Sequence, residues 1–237
     1  MRREFVSFPK SGRSWIRFAL LQLGLNVQAV RQRGDRPQNP GPSPVYFHHD
    51  GFGFIDGSRP AHDYCIESRI EHYNSVGRLV YLERDPRDVL VSLYYQVTGR
   101  MRDRFDYQGT LSDFVRDDYF GARVLCGYRE MWDRIASTEL KDRILRVTYE
   151  ECHADFGGVL SRILDHYGFP RRNDEIARAV EASRFSSMRE IELSGKYPDG
   201  WLRARQGAPK VREGRIGGYK DALSVEDLRY IAEYCRA

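Results

Sequence analysis

The chain has 237 residues, 41% of them hydrophobic and 30% charged, with a net charge of +4. That length buries a full core, and the balance is that of a globular protein rather than a fibrous or disordered one, while the small positive charge is too modest for a nucleic-acid binder, which needs a clustered excess of cations. No apolar run reaches about 18 residues and no basic-then-apolar leader opens the chain, so neither a membrane span nor secretion is expected.

Phe5, Val6 and Phe8 predict a short buried strand, Pro9 and Gly12 a turn, and the periodicity of 14–25 an amphipathic helix. A helix starting there directs its unpaired N–H groups and positive dipole end at the turn, where Lys10, Ser11, Arg13 and Ser14 add donors. The turn predicts an anion site. It is not the nucleoside-triphosphate loop G-x-x-x-x-G-K-[ST], because Lys10 and Ser11 precede Gly12, the turn's only glycine.

Residues 27–44 hold four prolines among Arg31, Arg33 and Arg36, and read as a long loop. A strand at 45–47 follows and delivers His48, His49 and Asp50 to its carboxyl end. The next strand, 79–82, leads into Arg84, then Asp85 as a helix cap, Pro86 at the first helical position and a helix over 86–98 that carries Ser92. Further helices are predicted at 111–116, 122–136, 156–167, 174–183 and 225–235, with a strand at 144–147. The alternation predicts an α/β protein: a single domain, 1–237, with a central parallel sheet flanked by helices and ligands at the carboxyl ends of the strands.

Residues 194–220 mix glycines, Pro198 and Pro209 with seven basic residues, a composition that suits a basic lid closing over phosphate. The four cysteines, Cys65, Cys126, Cys152 and Cys235, lie far apart without a metal-site spacing. They are expected as reduced thiols, which favours a cytoplasmic protein.

Pro9-Lys10-Ser11-Gly12-Arg13-Ser14-Trp15 resembles the 5′-phosphosulfate loop, Pro-Lys-Ser-Gly-Thr-Thr-Trp, of the sulfotransferases that use 3′-phosphoadenosine 5′-phosphosulfate (PAPS). Arg84 and Ser92 have the eight-residue spacing of that family's 3′-phosphate pair, and Arg212, Gly214, Gly217 and Lys220 match its Arg-Lys-Gly-x-x-Gly-Asp-Trp-Lys signature in register. Glu213 replaces the signature's lysine, leaving Lys210 or Arg215 to compensate, and Gly218-Tyr219 replaces Asp-Trp. The resemblance spans positions 5–224 and implies a P-loop-like fold, PAPS as donor, its product PAP, and no required metal. It also implies that Trp15, Tyr149 and Phe185 line the adenine pocket, although each could equally be core.

Sulfonate transfer needs a cation at the leaving-group oxygen and a base at the acceptor. Lys10 is the candidate cation. The resemblance places the catalytic base on His49, with Phe47 where the family has a lysine, and leaves His48 and Asp50 as alternatives. The acceptor is expected to be a small-molecule, lipid or carbohydrate hydroxyl, with an amine less favoured, its pocket shaped by the 27–44 loop and the region 99–120, where Phe105, Tyr107, Phe114, Tyr119 and Phe120 hint at an apolar or ring-bearing one. A P-loop-type kinase using ATP and Mg²⁺, or a non-catalytic nucleotide or nucleic-acid binding module, are the competing readings; oligomeric state stays open.

Overall fold

The computed structural model describes residues 1–54, 57–170, 172–197 and 200–235; Pro198, part of the expected lid, lies outside them. The strands are β1 (Arg3–Ser7), β2 (Val27–Ala29), β3 (Val45–His48), β4 (Arg78–Glu83) and β5 (Ile144–Thr148). The first helices are α1 (Arg13–Gln22), α2 (Ile66–Asn74), α3 (Pro86–Tyr95), α4 (Arg102–Phe105), α5 (Leu111–Arg116) and α6 (Ala122–Ala136). After β5 come α7 (Tyr149–Ala154), α8 (Phe156–Tyr167), α9 (Asn173–Ala182), α10 (Phe185–Ser194) and α11 (Val225–Tyr234). No described helix is long and apolar enough to cross a membrane.

All five strands are parallel, in the order β2-β3-β1-β4-β5. β1 lies in the middle, with Phe5 opposite Phe47 on β3 and Val80 on β4. Both faces of a central parallel strand are covered, which is why Glu4 through Ser7 are fully buried and the strand reads as a continuous run instead of an alternation. Phe5 and Phe47 stack with ring centroids 4.3 Å apart and, with Val80, Leu82 and Val147, pack against Ile16, Ala19 and Leu20 of α1 and Leu160 and Ile163 of α8. Each such buried side chain contributes about 2 kcal/mol.

The sheet's other face holds Tyr81 against Trp132 of α6, with centroids 4.7 Å apart. It also holds a charge: Glu4 is fully buried, accepting from Nε2 of His48 at 2.9 Å, from Nε2 of His72 at 3.1 Å and from Arg2. Burial pushes the Glu4 carboxyl up, but the hydrogen bonds from His48 and His72 outweigh it and hold the group well below the usual carboxylate range.

The chain packs as two compact units. The sheet, α1, α2, α7 and α8 belong to the unit formed by Met1–Gly53, Ala61–Arg84 and Gly127–Val180. The second unit, Phe54–Pro60, Asp85–Cys126 and Glu181–Ala237, carries α3, α4, α5, α10 and α11. Within it Phe114 and Phe120 are fully buried and stacked, so two of the aromatic residues expected at the acceptor are core.

Three expectations change. The loop predicted at 27–44 opens with a strand, β2, hydrogen-bonded to β3, and the rest is tied back by Nδ2 of Asn26 donating to the Pro42 carbonyl at 3.0 Å. Helices α2, α4, α7 and α10 were not predicted; α7 is announced by a capping box in which Thr148 accepts from the Glu151 N–H and Glu151 answers back, a pattern present in the sequence. The cysteines are not all reduced thiols: Cys126 and Cys235 form a disulfide across 109 residues, with Cα atoms 5.0 Å apart. Cys65 is an exposed thiol and Cys152 a buried one, which burial pushes up to about 12.

Candidate active site

Because the strands are parallel, their carboxyl ends share one edge of the sheet. β1 ends there in the Lys10 turn, β3 in His49, β4 in Arg84 and β5 in Tyr149.

The Lys10 turn is built on unusual backbone. Lys10 takes φ of 73° and Gly12, the N-cap of α1, takes 102°. A lysine in the left-handed region costs about 1–3 kcal/mol and persists where the surroundings over-determine it, commonly at ligand sites. Gly12 is required twice over, because a Cβ there would also sit 2.5 Å from Cδ2 of Tyr149. Having no side chain, Gly12 cannot cap α1, whose first turn carries no acidic residue. The helix therefore offers uncapped N–H groups and its positive dipole end toward the turn, the arrangement that binds an anion. Ser11 is buried within this turn and Ser14 is half-buried.

Arg84 is fixed beside it. Its Nη1 donates to the Lys10 carbonyl at 3.2 Å, and its guanidinium carbon stands 4.1 Å from the centroid of the Tyr149 ring. Tyr149 and His153, one turn apart on α7, both meet Trp15 edge-on, and Trp15 stacks on Phe156 at 4.3 Å. Nε1 of Trp15 is buried with no hydrogen-bond partner among the described residues. His153 had no motif to recommend it; its four-residue spacing from Tyr149 on a helix face is the signal that places it here. Burial, and then the charge of Arg84, hold the His153 ring below its usual value. Arg13 turns a buried Nη1, unpartnered among the described residues, away from solvent. Its guanidinium is lowered to about 9 by burial first and then by Arg17, against an opposing effect of Tyr128.

The three candidate bases separate cleanly. His48 is fully buried, its Nδ1 accepting the Asp50 N–H at 3.1 Å and its Nε2 therefore donating to Glu4. Asp50 is fully buried between Nε of Arg69 at 2.6 Å and Nη1 of Arg33 at 3.1 Å. His49 is only half-buried, and its Nδ1 lies 2.7 Å from the Ser7 carbonyl. A carbonyl only accepts, so Nδ1 carries the proton and Nε2 is the basic nitrogen. Phe47, where the resemblance has a lysine, stacks on Phe5 in the core.

The remaining expected donor contacts belong to the second unit. Ser92 is half-buried on α3. Arg212 stands over the Tyr95 ring, 4.3 Å from its centroid, and pairs with Glu213, which also accepts from Nε of Arg215 at 2.9 Å. Glu213 is thus committed to two guanidiniums and acts as their counter-charge. Phe185 lies against Gly214, where a Cβ would come within 2.4 Å of its ring. Among the described residues no group of three or more histidine, cysteine or acidic side chains is arranged to hold a metal ion.

The family model of the sulfotransferase domain matches residues 62–237. The chain belongs to the sulfotransferase domain family. Human Sulfotransferase 2B1 is 32% identical over 161 residues, covering 65% of this chain and 42% of the human one. Cytosolic sulfotransferase 12 of Arabidopsis thaliana is 27% identical over 244 residues, covering 92% of this chain and 71% of that protein. Matches to the human, mouse and rat Sulfotransferase 2B1 chains span less than half of their length. Among solved structures, mouse sulfotransferase SULT7A1 complexed with PAP superposes with a TM-score of 0.68 at 15% identity, covering 98% of this chain and 81% of that one. At that identity the likeness establishes the fold: the parallel sheet and P-loop-like topology of the sulfotransferases.

Proposed function

We propose that this sulfotransferase-domain protein moves a sulfonate from PAPS to a hydroxyl, less readily an amine, of a small-molecule, lipid or carbohydrate acceptor, releasing PAP. The observation that carries the reading is the Lys10 turn: a strained lysine, an uncapped helix start and Arg84 bound to the same backbone, gathered at one strand edge. Arg84 would meet the 3′-phosphate and the turn, with Ser11, Gly12, Arg13 and Ser14, the phosphosulfate; by resemblance Ser92, Arg212 and Gly214 serve the 3′-phosphate, while Trp15, Tyr149 and Phe185 serve adenine.

In an in-line displacement the acceptor oxygen attacks sulfur as the bond to the phosphate oxygen breaks. Nε2 of His49 takes the acceptor proton, a role its tautomer supports because the Ser7 carbonyl holds the other proton on Nδ1. Lys10 offsets the charge that gathers on the departing phosphate oxygen. The mouse structure is a complex with PAP and a retinol dehydratase structure a complex with androsterone and PAP, which supports the donor and an apolar acceptor of that kind. A cytoplasmic location cannot lean on the cysteines, two of which are bonded; it is supported by the name of the Arabidopsis relative.

Titration with PAP in the presence of a chelator tests the reading. Tight binding that weakens about tenfold or more in Lys10→Ala and Arg84→Ala is expected, and preference for ATP with Mg²⁺ would overturn it in favour of a kinase.

A further inference from the structure

The basic segment 212–216 is anchored on both sides by a buried acid. Upstream, Glu192 of α10 is 2% exposed and accepts the N–H groups of Lys210 and, at 2.9 Å, of Val211. Downstream, Asp88 in the first turn of α3 is 3% exposed and accepts the N–H groups of Gly217 at 2.8 Å and Tyr219 at 3.0 Å. Around these anchors Nη1 of Arg189 donates to the Val211 carbonyl at 2.8 Å, and Arg87 stands over the Tyr219 ring at 4.1 Å. Nη1 of Arg100 lies 3.6 Å from Glu192.

A carboxylate is suited to this task because each of its oxygens accepts and neither donates, so two neighbouring N–H groups can be satisfied at once. Burying the charge is unfavourable unless such donors meet it, and charge-assisted bonds are roughly twice as strong as neutral ones. Asp88 also gains from the positive end of α3. We infer that Asp88 and Glu192 are positioning residues for donor recognition: they fasten the two ends of the segment that carries Arg212 and Gly214, so that its phosphate-binding shape exists before the donor arrives. The segment is then a preformed clamp instead of a loose flap, and little ordering entropy remains to be lost on binding. This rests on the PAPS reading above.

The test compares Asp88→Asn and Glu192→Gln. Each amide turns a donor toward one of the N–H groups it should accept, at nearly unchanged volume. PAP affinity by calorimetry is expected to fall about tenfold or more in each variant, with Asp88→Glu recovering part of the loss, because hydrogen bonds to charged groups are worth that much. The KM for acceptor should change far less. In an Arg212→Ala background the same substitutions should cost little further affinity, because they act through that segment. Hydrogen exchange should quicken at 210–219 while the β1 to β4 amides stay protected, a readout that remains usable if one variant is poorly stable. Unchanged PAP affinity in both variants, or losses that simply add to that of Arg212→Ala, would overturn the inference with the donor reading intact. A wild-type protein that does not bind PAP would overturn both.

Discussion

The guanidinium of Arg84 stands 4.1 Å above the Tyr149 ring while donating to the carbonyl of Lys10. This single side chain joins the ends of three strands: the turn after β1, its own position after β4, and the first residue of the helix after β5. A planar guanidinium can stack and donate sideways together, which an ammonium cannot.

Arg84→Lys should therefore behave much like Arg84→Ala, each losing PAP affinity by about tenfold to a hundredfold. Calorimetric titration decides it; wild-type affinity in the lysine variant would show that charge alone suffices.

Gly12→Ala should be among the most damaging small substitutions. It places a Cβ 2.5 Å from Cδ2 of Tyr149 at φ of 102°, and the strain should lower stability by about 1–3 kcal/mol while weakening PAP binding. Thermal denaturation with and without PAP would measure both, and an unchanged midpoint would contradict the turn geometry.

His49→Ala should lower kcat by about a hundredfold to ten-thousandfold with PAP affinity little altered, the signature of a lost base. His48→Ala should instead lower the melting temperature, since it strips buried Glu4 of a partner. Reversal of these two outcomes would move the catalytic role inward.

Acid should destabilise the protein through Glu4. Burial opposes its charge, but His48 and His72 hold the folded-state carboxyl below its unfolded value, so the stabilisation is complete above the ordinary value of 4.5 and is lost as pH falls below it. Denaturation midpoints of the wild type and Glu4→Gln should differ at pH 7 and converge on acidification. Curves that stay parallel would remove Glu4 from the account.

Thiol titration without reductant should find one reactive group in the native protein, Cys65, and two after unfolding, when Cys152 is exposed; reduction should bring the number to four. Four thiols without reductant would show that Cys126 and Cys235 are not bonded.

The elements that carry the proposed donor site were legible because strand, turn and helix start lie within about ten residues of one another. Pro9 through Trp15 carries its own breakers and Arg84 through Asp88 its own cap, and a parallel sheet necessarily brings such turns to one edge. Even helix α7, which was not predicted, had a local signature in Thr148 and Glu151. The choice among His48, His49 and Asp50 was different. Pleating says only that neighbours face opposite ways; the partners that bury His48 and Asp50 are Glu4, Arg69 and Arg33, residues 17 to 44 positions distant.

The sequence by itself determined the sulfotransferase family, the α/β class and the strand-turn-helix segments at Pro9 to Trp15 and Arg84 to Asp88, since each is written in contiguous residues with a specific spacing. Only the tertiary structure decided that His48 is buried against Glu4 while His49 is not, that two cysteines 109 residues apart are bonded, and that Asp88 reaches across 129 residues to hold Gly217. Burial and hydrogen bonding are properties of a packed environment, and a side chain acquires them only when segments remote in the chain close around it.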